Sequence, residues 1–311
     1  MRGPAGCCSP RQSDARSDHA RWSGLRHGDG GAAPSVATTT ALRWCGPTKG
    51  GRTIVSAGDV TYAVEDGVAV LTLDRPDSHN ALTVHMVQRF AEASAAAQAD
   101  DSVRAVVVTG AGEKAFCAGG DLAELIPRLT AGEVEILTPD PAKRFLSDVF
   151  KPVIAAVNGI CVAGGLELML GTDLRIAADT AVFGLPEVRW GLIPGGGSHV
   201  RLPQQVPWAF AMQLLLTGDH VPAERAHAAW LVNEVVPRAE VLDRALAVAQ
   251  GIVRNGPLAV RTAKEIAVRA LQNEPRFALE AALNQRVLTS HDATEGPRAF
   301  VEKRDPQFRG A

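Results

Sequence analysis

The sequence predicts an α/β core followed by a helical C-terminal portion. Three observations carry this: a β-hairpin near residue 60, β-branched runs alternating with helical periodicity up to about residue 184, and helical periodicity alone after Pro203.

The hairpin is predicted by Val60–Glu65 and Val68–Leu73, which flank Asp66-Gly67, a dipeptide that accepts the positive φ angles of a tight turn. Residues 84–97 follow as a helix, because Val84, Val87, Phe90, Ala91 and Ala95 recur at helical spacing. A β-branched run at 105–109 ends at Gly110 and reads as a strand. The cycle resumes with a strand at Val153–Val157, a glycine-bounded helix at 164–171, and strands near 174–177 and 181–183. Beyond Pro203, apolar periodicity runs through 209–216, Val241–Val253 and 258–271, with Pro and Gly punctuation between. The predicted organisation is a disordered extension over residues 1–56, an α/β core over 57–250 and a helical region over 251–311.

A 46% hydrophobic content over 311 residues supplies ample material for a core. The net charge of −2 and the lack of a dense Lys/Arg run leave no electrostatic footprint for nucleic acid or an anionic membrane. The longest apolar runs, such as Val153–Val157 and residues 208–212, fall far short of the roughly 20 residues of a membrane span. Of the five cysteines, Cys117 and Cys161 sit in apolar Gly/Ala-rich surroundings typical of buried thiols, and no zinc spacing or disulfide framework emerges. The expectation is a cytoplasmic protein without a metal. A mitochondrial matrix location would follow if the Arg-rich extension were a transit peptide, although Asp14, Asp18 and Asp29 count against that.

Three glycine-rich turns follow strands. Gly110-Ala111-Gly112-Glu113-Lys114-Ala115 mimics a dinucleotide fingerprint, but Phe116-Cys117-Ala118-Gly119-Gly120 follows where that motif needs a helix. The turn at 116–122 offers small residues where a ligand can approach the backbone. Ala163-Gly164-Gly165 leads directly into a helix, whose N-terminus presents unpaired N–H groups and the positive dipole end to developing negative charge. Glu167 lies in that helix's first turn among Leu166, Leu168, Met169 and Leu170, so desolvation should raise its pKa. Glu187 is a second lone acid in an apolar stretch, after Phe183-Gly184-Leu185-Pro186. Two such carboxylates point to acid/base chemistry. Cys117 reads as packing, Ser198-His199 as a surface or capping pair without an orienting acid, and His79 as a turn residue.

These residues carry a resemblance. Asn80-Ala81-Leu82, the turn at 116–122, Lys151-Pro152 through Asn158-Gly159, Gly164-Gly165-Leu166-Glu167-Leu168, Phe183 to Glu187, Gly191 to Gly197 and Phe300-Val301-Glu302-Lys303-Arg304 resemble, in order and spacing, the signatures of the crotonase (enoyl-CoA hydratase/isomerase) superfamily. The resemblance implies a crotonase-like spiral of ββα units with a C-terminal helical trimerisation region, assembled as a homotrimer or a hexamer. It implies an acyl-CoA substrate, with coenzyme A part of the substrate and no cofactor. It further implies Glu167 and Glu187 as the catalytic pair, the amides of Gly120 and Gly164 as the oxyanion hole, and Ala81, Ala118, Gly120, Asp121, Leu122 and Lys303 as substrate-binding residues.

Some positions depart from the pattern. Asp77 and Ala123 stand where CoA-contacting lysines are common, and Asn284 where an aromatic often packs near the adenine, which leaves Lys303 as the clearest phosphate contact. Residues 123–147 are expected to shape the acyl pocket. Within the family, retention of Glu167 favours enoyl-CoA hydration over the one-acid Δ3,Δ2-enoyl-CoA isomerases, while a carnitinyl-CoA-type dehydratase shares both acids. RNA-binding or assembly-partner relatives would carry a lysine-rich helix, which this chain lacks.

Overall fold

The computed structural model describes residues 53–55 and 59–310. Most of the predicted extension therefore lies outside the described residues. Regular structure nevertheless starts before residue 60: β1 (Thr53–Val55) pairs antiparallel with β2 (Val60–Glu65), which turns through Asp66-Gly67 into β3 (Val68–Leu73). Asp66 and Gly67 both have positive φ, 48° and 80°, as this tight hairpin requires.

Helix α1 (Val84–Ala99) is started by Thr83, whose hydroxyl accepts from the Met86 amide at 3.1 Å, and it buries Val84, Met86, Val87 and Phe90. Three repeating units follow. Strands β4 (Ala105–Gly110) and β5 (Ala115–Cys117) precede α2 (Leu125–Thr130), and β6 (Val153–Val157) and β7 (Ile160–Val162) precede α3 (Gly164–Leu170). Strands β8 (Leu174–Ala178) and β9 (Val182–Gly184) lead into a 3-10 turn at Pro186–Trp190. In each unit the first strand joins a seven-stranded sheet and the second a four-stranded sheet, so the chain winds as a spiral between them.

Helices α4 (Ser198–Gln205) and α5 (Trp208–Thr217) come next, then β10 (His220–Pro222), α6 (Ala223–Ala228) and β11 (Glu234–Val236). The large sheet runs β1-β2-β3-β4-β6-β8-β11, parallel from β3 onward, and the small one β10-β9-β7-β5. Strands β4 and β6 are buried along their whole length, which is why they read as continuous apolar runs rather than as alternating ones. Helix α7 (Val241–Val253) packs across β3, β4, β6 and β8. It thus belongs to the core and continues past residue 250, so the helical C-terminal region begins after residue 253. That region comprises α8 (Pro257–Ala270), α9 (Glu274–Leu288) and α10 (His291–Glu302).

Buried carboxamides lock the loops that carry the site. Asn158 donates to the carbonyls of Gly110 and Gly112, both at 2.9 Å, and Asn80 donates to those of Ala111 and Ala115 at 3.0 and 2.8 Å. These bonds tie the ends of β4, β5 and β6 to residues 79–82. Removal of residues 1–52, which spares β1, is expected to leave the association state unchanged and the Tm within about 4 °C of the full chain, the shift that 1 kcal/mol causes at this size. Thermal unfolding and light scattering on both chains check this.

Candidate active site

Residues 79–82 and 118–121 run side by side. The Leu82 amide donates to the Gly119 carbonyl at 2.7 Å and the Asp121 amide to the Leu82 carbonyl at 2.8 Å. This pairing uses the Gly119 carbonyl and the Asp121 amide and spares the N–H of Gly120. Gly119 has φ 100°, and a Cβ there would stand 2.6 Å from the Ala163 Cβ, so only glycine lets the two turns meet. Ala163 itself has φ 50° and ψ −129°, a strained conformation for alanine, and it aims the chain abruptly into α3. The Gly164 amide opens that helix and has no partner within it. Among the described residues, neither the Gly120 nor the Gly164 N–H has an acceptor. The two amides lie close together, since a Cβ on Gly164 would be 3.6 Å from the Gly120 nitrogen.

Both amides open onto a cavity of about 240 Å³. Ala118, Gly120, Leu122, Gly164, Glu167 and Glu187 all line it. Its far wall comes from α2 and residues 134–145, through Leu125, Ile126, Leu129, Val134, Leu137 and Phe145, as expected of that long segment. Trp190 and Phe300, in edge-to-face contact at 4.7 Å, complete the wall from the 3-10 turn and α10.

Glu167 is 4% exposed. Its Oε1 accepts from the Gly196 amide at 2.6 Å. Burial, then the nearby Glu280 charge, pushes its pKa up to about 7, against the opposing pull of the Gly196 amide. Glu187 is half-buried, and its Oε2 is closed off with no partner among the described residues. Burial, then the Glu167 charge, holds its pKa well above the usual carboxylate range. Two neighbouring carboxyls so arranged retain a proton near neutral pH.

Other expected residues lie outside the cavity wall. Ala81 and Asp121 both bind Arg75, the carbonyl of Ala81 at 2.8 Å and the Asp121 carboxylate at 3.0 Å, while Asp121 also caps the Ala123 amide. Lys303 ends α10 with φ 55° and is exposed. Cys117 and Cys161 are fully buried, and burial pushes the Cys117 thiol up to about 12, which suits packing and not nucleophilic attack. His79 caps its turn with φ 53°.

One expectation is corrected. Ser198 and His199 are not a surface pair: Ser198 is completely buried at the start of α4, and the half-buried His199 ring contacts Glu280 at 3.2 Å. No triad forms, because the Ser198 hydroxyl has no partner among the described residues. Asn284 lines the cavity, beside Gly195.

Sequence reasoning also missed the clamp behind Glu167. Arg144 and Glu280, with side chains 1% and 3% exposed, pair at 2.9 Å, and Arg144 donates to the Phe277 carbonyl at 2.8 Å. Together they back the 195–199 loop that holds Glu167, since Arg144 and Phe277 pack against Gly197. The signal lay in α9, where Glu280 and Asn284 fall on the stripe of Phe277 and Leu288, polar residues on a buried face.

The chain matches the family model described as enoyl-CoA hydratase/isomerase over residues 63–311. It is 37% identical over 268 residues to an enoyl-CoA hydratase of Mycobacterium tuberculosis, covering 83% of this chain and 98% of that protein. A carnitinyl-CoA dehydratase of Citrobacter koseri is 39% identical over 257 residues, covering 77% of this chain and 94% of that protein. Among solved structures, a carnitinyl-CoA hydratase from Mycobacterium avium superimposes with a TM-score of 0.72 at 39% identity, covering 81% of this chain and 98% of that one. The ββα spiral, the shared cavity and these similarities agree, and the chain belongs to the enoyl-CoA hydratase/isomerase family.

Proposed function

We propose that this protein is an enoyl-CoA hydratase that adds water reversibly across the 2,3 double bond of a trans-2-enoyl-CoA thioester. One observation carries the reading: two carboxyls with raised pKa and two free amides converge on one apolar cavity. Relatives named as enoyl-CoA hydratase and carnitinyl-CoA dehydratase support it.

In this mechanism ionised Glu167 takes a proton from water as the water oxygen bonds to Cβ. The double-bond electrons shift toward the thioester, and the charge developing on its oxygen is held by the Gly120 and Gly164 amides. Protonated Glu187 delivers its proton to Cα, which completes the addition of H2O. Proton exchange with solvent then restores the pair. Coenzyme A is carried on the substrate, and this chemistry calls for no separate cofactor. Ala81, Ala118, Gly120, Asp121, Leu122 and Lys303 are the proposed contacts to it. In H2-18O, the product is expected to carry one labelled oxygen at C3, and mass spectrometry reads this directly. Product without label would overturn hydration.

The pH dependence follows from the two carboxyls. Glu167 gains its basic form as pH rises through about 7, and burial, then the Glu167 charge, also holds the Glu187 pKa well above the usual carboxylate range. The profile of kcat/KM is therefore expected to rise through about pH 7. A plateau extending down to pH 5 would contradict the assignment of Glu167 as base.

A homotrimer or dimer of trimers is part of the same reading. Of the large exposed apolar residues, Trp208, Leu258, Ile266, Leu279 and Leu283 belong to α5, α8 and α9, where association through the helical region would cover them. No described helix is long and apolar enough to cross a membrane, and a cytoplasmic location fits the proposed chemistry.

A further inference from the structure

The turn that enters α4 is gripped from two sides by carboxylates. Helix α4 starts from Gly197, at φ 108°, and so has no side-chain cap of its own. A Cβ at Gly197 would stand 3.0 Å from the Arg144 Cγ and 3.2 Å from the Phe277 ring, which leaves no room for a serine or aspartate cap. The amides at the start of the helix are taken by acids from elsewhere in the fold. The Gly196 amide donates to Glu167 at 2.6 Å, and the Ser198 amide joins it. The His199 amide donates to the Glu280 Oε1 at 3.2 Å, and the His199 Nδ1 lies 3.2 Å from the same oxygen.

The other oxygen of Glu280 accepts from the Arg144 Nε at 2.9 Å. Arg144 is tied in turn to the carbonyls of Pro141, Lys143 and Phe277. Apolar residues of the same volume would fill this space at less cost in desolvation, but they could accept no amide.

We propose that Glu280 is a positioning residue for hydration: as a cap supplied by α9, it fixes the first turn of α4, and that turn presents the amides that hold the Glu167 carboxylate at the cavity. This rests on the hydratase reading and adds to its machinery a residue outside the cavity wall. The Glu280 charge gives the role a signature that packing alone lacks. The charged and titratable groups around Glu167 are Glu187 from the 3-10 turn, His199 and Arg201 from α4, and Glu280 from α9, with Arg144 behind Glu280. After burial, the Glu280 charge does most to raise the Glu167 pKa, and the His199 charge opposes it. Removing the Glu280 charge, which also leaves Arg144 uncompensated, therefore favours ionised Glu167. Removing the Arg144 charge leaves Glu280 unbalanced and disfavours it.

The test is the pH dependence of kcat/KM for hydration of but-2-enoyl-CoA by the full-length protein and three variants. Glu280→Gln is expected to move the acidic limb below that of the wild type by about half a pH unit or more, and Arg144→Gln to move it above. Glu280→Leu, which removes the acceptor of the His199 amide, is expected to lower kcat about tenfold or more at pH 8 with KM changed far less. Glu280→Gln restores an acceptor and should recover most of that loss. Limbs that stay in place, or that move the same way in both Gln variants, would overturn the proposal, as would unchanged kcat in Glu280→Leu. Should Arg144→Gln or Glu280→Leu not fold, the direction of the limb in Glu280→Gln decides. A Glu280→Gln chain that fails to fold would overturn the proposal by assigning Glu280 to stability alone. Hydration with unmoved limbs removes this inference alone, whereas a wild-type protein that does not hydrate any 2-enoyl-CoA removes the hydratase reading with it.

Discussion

Replacing Glu167 with Gln is expected to lower kcat for hydration at least about a hundredfold, with KM changing far less. Glutamine keeps the size of the side chain and can still accept from the Gly196 amide, so the 195–199 loop should stay in place. What disappears is the proposed proton acceptor for the attacking water. The expected loss is about 10²–10⁴-fold, the usual contribution of a positioned acid or base. The same substitution removes the charge that helps to hold a proton on Glu187, so the pKa of Glu187 should move down. Migration of a 3-enoyl double bond, which needs proton removal and return along one side of the chain, should depend more on Glu187 and survive better. Steady-state kinetics of both reactions on Glu167→Gln and Glu187→Gln decide the matter. Undiminished hydration by the Glu167 variant would sink the two-carboxylate mechanism and favour an isomerase.

The second large effect is expected at the start of α3. Gly164→Pro deletes an amide proposed to donate to the thioester oxygen, and the loss of one such donor typically costs about 10²–10³ in rate. Proline is tolerated in a helix's first turn, but it restricts the residue before it, and Ala163 already sits at φ 50°. A second variant separates the two effects. Gly164→Ala keeps the N–H; its added methyl presses on the Leu82 Cδ1 at 3.3 Å, which can shift by a few tenths of an ångström, and stands in ordinary contact, at 3.6 Å, with the Gly119 Cα and the Gly120 nitrogen. It should retain most of the activity. If Gly164→Pro is soluble and turns over near normally, or if both variants lose activity equally, the Gly164 amide is not an oxyanion donor.

Elements whose signal is local were legible in the sequence. Asp66-Gly67 named its hairpin because only a few residue pairs accept two positive φ angles. Helices α1 and α3 were readable from apolar spacing and from bounding glycines, and β4 and β6 from β-branched runs that are buried on both faces. The partners β5 and β7 were not. Each has three residues, too few for any period, and each exists because the chain reverses and pairs with its counterpart in the next unit. Glu167 and Glu187 stood out as acids among apolar residues. Glu280 and Arg144 did not, because their importance comes from contacts over long sequence separations, such as the 136 residues between them. Ser198 was misplaced for a related reason: a serine beside a histidine in a glycine-rich loop looks exposed until α9 closes over it.

The measurement that tests the central claim most directly is a panel assay of the purified full-length protein. Crotonyl-CoA, longer 2-enoyl-CoAs, 3-enoyl-CoAs and crotonobetainyl-CoA are supplied separately, and the products are identified by mass spectrometry. The account predicts that at least one 2-enoyl-CoA gains the mass of one water as a 3-hydroxyacyl-CoA, faster than any 3-enoyl-CoA isomerises. Isomerisation of 3-enoyl-CoAs with no water added to any 2-enoyl-CoA would contradict it.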